Sequence, residues 1–140
     1  MVAYGSNDPI NVDSLQTDTY DGAGYLVKYD AAGLLKTAAV TDTPIGVTLD
    51  ESSRDADGSL VAVATATVSI LPLSGIIHVK CMGIVAGSVN VGMPMYVSQT
   101  ADTNGYVDND SSNSAVLVGY YMGKDGVAIT AGDLVPVAVA

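Results

Sequence analysis

The chain has 140 residues, 49% of them hydrophobic and 14% charged, and sets 15 acids against 5 cations for a formal net charge of -10. A mean hydropathy of +0.36 is too apolar for a disordered chain, and the length suits one ordinary domain with a real core. The absence of Trp and Phe, with a single Cys and a single His, excludes a disulfide framework, a Cys/His zinc site and most aromatic platforms for nucleic acid; so few cations cannot lay a basic stripe along phosphates either.

Of the 15 acids only Glu51 is Glu; the rest are Asp. Asp suits turns and caps, where its short carboxylate bonds the local backbone, whereas Glu is the acid that helices prefer. Abundant Val and Thr fit a pleated surface, and 15 Gly punctuate turns. The expected class is therefore all-β: a small single-domain β-barrel or sandwich with an extended N-terminal arm.

Residues 1–20 form that arm. They are polar, with isolated apolar anchors at Val2, Tyr4, Ile10, Val12 and Leu15, and must pack back on the domain or lie along a partner. Met1 to Pro9 hold neither a cationic nor an apolar block, so no secretory signal is expected. Residues 21–140 are expected to form the β-rich domain. In the run 24–29, Tyr25, Val27 and Tyr29 alternate with Leu26 and Lys28, the period-two mark of a strand. Asp30 to Gly33 reads as a turn, Leu34 to Val40 as the returning strand, and Thr41 to Pro44 as a second turn leading into Ile45 to Asp50.

Asp50 to Gly58 is a polar loop. Ser59 to Leu71 is the longest strand candidate, with Leu60, Ala62, Ala64, Ala66, Val68 and Ile70 on one face, mostly small enough for a second layer to approach closely. Pro72 and Gly75 break it, and Ile76 to Val85 resumes with Ile77, Val79 and Cys81 opposite His78, Lys80 and Met82. The apolar stretch from Val61 to Ala86 is interrupted by Thr65, Thr67, Ser69, Pro72, Ser74, His78 and Lys80, short of the roughly 20 apolar residues of a membrane helix. No membrane partner is expected. Further strands are predicted over 93–99, 115–122 and the closing LVPVAVA, with short helical turns near Ala31 or Ala131.

Chemistry would have to pass through His78, the only imidazole, yet Cys81 lies three residues on and on the opposite face. His78 reads as a surface residue and Cys81 as a small core residue. Asp55, Asp57 and Gly58 echo part of a calcium loop, but neither Asp50 to Gly58 nor Asp102 to Asp110 supplies the full ligand series, and Asn104-Gly105 is more simply a hairpin turn. The Gly-rich stretch at 22–24 precedes a strand, not a helix, so it is not a phosphate cradle. Neither a catalytic set, nor a metal, nor a cofactor is expected.

Several beats of the sequence resemble the small head-decoration (capsid cement) proteins of tailed bacteriophages and related viruses. They are Pro44-Ile45-Gly46-Val47, Gly92 through Tyr96 leading to a turn at Gly105, Val118-Gly119, and Gly132 through Val137, and they span most of residues 22–140. The resemblance implies a compact β domain, commonly a homotrimer on the outer face of an icosahedral head, that bridges neighbouring major capsid proteins. The implied location is the virion surface after synthesis in the host cytoplasm. Contact with the capsid or between subunits is then expected from Tyr4, Ile10, Val12 and Leu15 of the arm, and from Tyr120 or Tyr121, one of which should face outward. A carbohydrate-binding β-module of a tail fibre or adhesin, using some of the 8 tyrosines, is the alternative.

Overall fold

The computed structural model describes residues 10–13, 20–31, 33–51, 56–59, 67–99 and 105–140, the first of these segments by its backbone alone. Its strands are β1 (Ile10–Asp13), β2 (Leu26–Tyr29), β3 (Leu35–Thr37), β4 (Gly46–Thr48), β5 (Thr67–Pro72), β6 (Ile76–Lys80), β7 (Pro94–Val97), β8 (Val107–Asp108), β9 (Leu117–Tyr121) and β10 (Leu134–Val139). They form two antiparallel five-stranded sheets, in the orders β1-β5-β4-β2-β3 and β6-β10-β9-β7-β8. The protein is all-β, and of the two architectures the sequence left open it adopts the sandwich: the sheets face one another and do not close into a barrel. Among the described residues the one helical turn is a 3-10 turn at Ala86–Ser88, whereas Ala31 and Ala131 sit in plain turns.

Local chemistry explains the first hairpin. The Asp30 carboxylate accepts the Leu34 N–H at 2.9 Å while the Asp30 carbonyl accepts the Gly33 N–H at 3.0 Å, and Gly33 takes the left-handed φ of 78° that closes the turn. This register sets Lys28 directly opposite Lys36, a like-charge pair that needs a counterion. Asp42 supplies it: Oδ1 lies 2.8 Å from Lys28 Nζ, and Oδ2 lies 3.8 Å from Lys36 Nζ while accepting the Ala39 N–H at 2.9 Å. Burial opposes the charge, but the Lys28 and Ala39 hydrogen bonds and both ammonium groups outweigh it and hold the carboxyl below its ordinary range.

Alternation builds the core. Leu26 and Val47 of the first sheet meet Ile77, Val79, Met95, Val97, Val118, Val135 and Val137 of the second between the layers. A second apolar cluster of Tyr20, Val27, Leu35, Val68 and Ile70 lies on the other face of the first sheet, so β2 is buried on both sides. The long strand expected over 59–71 is described from Thr67 onward, with Val68 and Ile70 sharing one face as the pattern required; Leu60 to Ala66 lie outside the described residues. The backbone of Ile10 to Asp13 pairs with Ile70 to Thr67, so this part of the arm packs back as the edge strand of the first sheet.

Close backbone approach fixes one glycine. A β-carbon at Gly119 would collide with the carbonyl oxygen of Ala138 on the neighbouring strand. Gly119→Ala is expected to cost at least about 1–3 kcal/mol and to lower Tm by several degrees, because the obstacle is backbone and cannot rotate away. Gly22→Ala, where nothing lies within 4 Å, should stay within about 0.5 kcal/mol of the parent; thermal melts of both check this, and equal melting temperatures would contradict it.

Candidate functional site

Strands β6, β10, β9 and β7 contain no carboxylate, although the chain has 15 acids. Their inward residues fill the core, so their outward residues form a face from which negative charge is missing. Ile76, Ala138, Tyr120 and Pro94 align in register across these strands, a row about 14 Å wide at the usual strand spacing. Beside it His78 pairs with Pro136, whose carbonyl accepts the Met122 N–H at 2.9 Å, and Lys80 pairs with Leu134 at the margin. Ile76 (51%), Leu134 (49%), Met122 (47%) and Tyr120 (42%) are all exposed. Exposed apolar side chains gathered on one sheet face are less ordinary than single ones, and such a patch is a candidate interaction surface.

The adjacent tyrosines divide as alternation demands, and the pair yields one contact candidate. Tyr120 points outward. Tyr121 is 5% exposed, belongs to the core, and donates its hydroxyl to the Lys124 carbonyl at 3.0 Å. The absence of a side chain at Gly123 leaves room for the Tyr121 ring. Tyr121 is therefore corrected from contact candidate to core residue. Of the arm residues, Tyr4 and Leu15 lie outside the described residues, while Ile10 and Val12 are placed by backbone only, opposite Ile70 and Val68 at the sheet edge.

At the margin of the face, a charged and aromatic seam ties the two sheets together. Lys80 Nζ lies 4.8 Å from the centre of the Tyr25 ring and 5.9 Å from that of Tyr106, with Asp21 Oδ1 at 4.0 Å. The Lys80 N–H donates to the Gly24 carbonyl at 2.8 Å, and the Tyr25 hydroxyl donates to Asp21 at 2.6 Å. Burial first, then the Asp21 carboxylate, pushes the Tyr25 phenol well above its ordinary range, so it stays a donor. The Tyr20 ring packs tilted against that of Tyr25, with centroids 5.8 Å apart. Three tyrosines are thus spent on the seam and Tyr121 on the core, and the exposed Tyr29 and Tyr120 lie on different sheets.

His78 and Cys81 are not brought together: His78 is exposed on the outward face and Cys81 is fully buried. The acidic loop after β8 braces itself. Asp108 accepts the Asp110 N–H, Asp110 accepts the Ser112 N–H and hydroxyl, and Gln99 ties Ser112 to Asn113. Among the described residues no three His, Cys, Asp or Glu side chains converge as metal ligands; Asp55 lies outside them. The chain matches no protein-family model, no curated protein and no solved structure.

Sequence reasoning did not find this face as a unit, because Ile76, Pro94, Tyr120 and Ala138 come together only through sheet order. The core placement of Cys81 has a direct chemical consequence. Burial, then the Asp108 and Asp133 charges, push its thiol up to about 12. A disulfide thiol reagent at pH 8 should leave the native protein unlabelled and label it promptly in denaturant; stoichiometric labelling of native protein on mixing would contradict the burial.

Proposed function

We propose that this chain is a structural virion protein that binds the outer face of an icosahedral capsid and stabilises it by bridging neighbouring major capsid proteins. The observation that carries this reading is the carboxylate-free apolar row of Ile76, Ala138, Tyr120 and Pro94 on a chain of net charge -10. It joins the sequence beats that resemble cement proteins, one of which, Gly92 through Tyr96, leads into β7 of this same sheet.

Magnitudes favour a repeated contact. Each half-exposed side chain of the row offers roughly 1 kcal/mol on being covered, a few kcal/mol in all, against an association cost of about 4–15 kcal/mol. One copy therefore holds weakly. An array on a lattice, or a homotrimer presenting several faces at once, converts weak contacts into firm occupancy through effective concentration. The acidic remainder of the surface keeps decorated particles apart and repels nucleic acid. Tyr120 is the leading contact residue, and the arm strand β1, at the sheet edge, is the second.

Quantitative mass spectrometry of density-purified particles from the source culture tests the reading. A fixed ratio approaching one copy per major capsid subunit is expected. Absence, or a handful of copies per particle, would contradict it and bring forward the carbohydrate-binding module of a tail fibre or adhesin.

A further inference from the structure

Four places in the chain set a glycine directly after Asp or Asn: Asp21-Gly22, Asp57-Gly58, Asn104-Gly105 and Asp125-Gly126. With no β-carbon in the way, the amide nitrogen of such a glycine can swing onto the side-chain carbonyl carbon of the residue before it and close a succinimide ring. The fold restrains three of them. The Gly126 N–H donates to the Val89 carbonyl at 2.9 Å while Asp125 Oδ1 accepts the Val91 N–H at 2.9 Å, so both reacting groups are tied. The Gly105 N–H donates to the Ala38 carbonyl at 2.8 Å, and Asp57 and Gly58 are each partnered. Asp21-Gly22 differs. The Asp21 side chain is 67% exposed, nothing lies within 4 Å of where a Gly22 β-carbon would stand, and among the described residues the Gly22 N–H meets no acceptor. Asp21 Oδ1 is held by the Tyr25 hydroxyl at 2.6 Å and faces Lys80 Nζ at 4.0 Å, whereas among the described residues Oδ2 has no partner.

We propose that Asp21-Gly22 is an isoaspartate-forming site and that its conversion releases the seam between the sheets. The Gly22 nitrogen bonds to Asp21 Cγ, and the amide proton leaves with the hydroxyl of the protonated carboxyl group as water. Water then opens the ring at either carbonyl. Breaking the bond from nitrogen to Cγ restores Asp21, and breaking the bond from nitrogen to the backbone carbonyl carbon yields isoaspartate. One water is lost and one regained, with no change of oxidation state. In the product the backbone runs through Cβ and Cγ, and the carboxylate is carried on Cα. It no longer stands where the Tyr25 hydroxyl and Lys80 meet it, and the lengthened backbone shifts the Gly22 carbonyl that accepts the Thr48 hydroxyl at 3.1 Å. Tyr25 and Lys80 join the two sheets, so the modification acts on the contact between layers and does not depend on any capsid role.

The test ages the full native chain at neutral pH in heavy-oxygen water and maps its peptides by electron-transfer fragmentation, which separates isoaspartate from Asp. Label and isoaspartate should accumulate at Asp21 about tenfold faster than at Asp125, where two hydrogen bonds must open first. In denaturant the two positions should age at similar rates. Gly22→Ala should slow conversion at Asp21 about fivefold, because the new β-carbon hinders the attacking nitrogen, while melting with the parent. The isomerised fraction, separated chromatographically, should melt several degrees below the unconverted one. Ageing of the native chain at Asp57 or Asp125 as fast as at Asp21 overturns the site. An isomerised fraction that melts with the parent overturns the release of the seam.

Discussion

The placement of charge governs this molecule. A sandwich core requires alternate residues of every strand to be apolar, and a chain with 15 acids must put them elsewhere. Among the described residues most go to turns and loops: Asp30 closes a hairpin, Asp42 clamps Lys28 and Lys36, and Asp110, with Asp108 at the end of β8, braces the loop that follows. The strands of the second sheet are then free of carboxylates on both faces except at the short edge strand β8. The inward face becomes core, and the outward face becomes a surface that water solvates poorly. Fold and candidate function follow from the same segregation.

The seam around Lys80 holds that surface in place. β6 runs from the exposed Ile76 to Lys80, where the backbone bonds Gly24 and the ammonium group lies over Tyr25 and Tyr106. A β-carbon at Gly24 would strike Leu134, so the segment entering β2 lies tightly against the margin of the face. The face is thus carried by paired strands held at this margin. A pre-formed surface of this kind would bind with little ordering cost, which suits the proposed role.

Much of this was legible in the residues. Alternation in β2 and β6 was unambiguous, and the burial of Ile77, Val79 and Cys81 opposite an exposed His78 follows the period-two pattern. The Asp30 to Gly33 turn announced itself through turn chemistry. The two-residue β8 was not legible, being shorter than any periodicity can register, and neither was the arm strand β1, whose pairing with β5 is a long-range choice. Adjacent tyrosines guarantee that one faces outward, but parity in β9 depends on the register shift where Met95 and Tyr96 meet it, and that is decided by packing. The docking face was hidden for a related reason: its members Ile76, Pro94, Tyr120 and Ala138 are far apart in sequence and meet only through sheet order.

The proposed function requires the outward face of the second sheet to be covered in the assembled state. Covalent footprinting with a photogenerated carbene, applied to the free chain and to the chain on purified particles, tests it directly at the level of side chains. Ile76, Tyr120, Met122 and Leu134 are expected to be labelled in the free chain and protected on the particle, while Val85, outside the face, is labelled in both. Equal labelling of those four residues in the two states would contradict it.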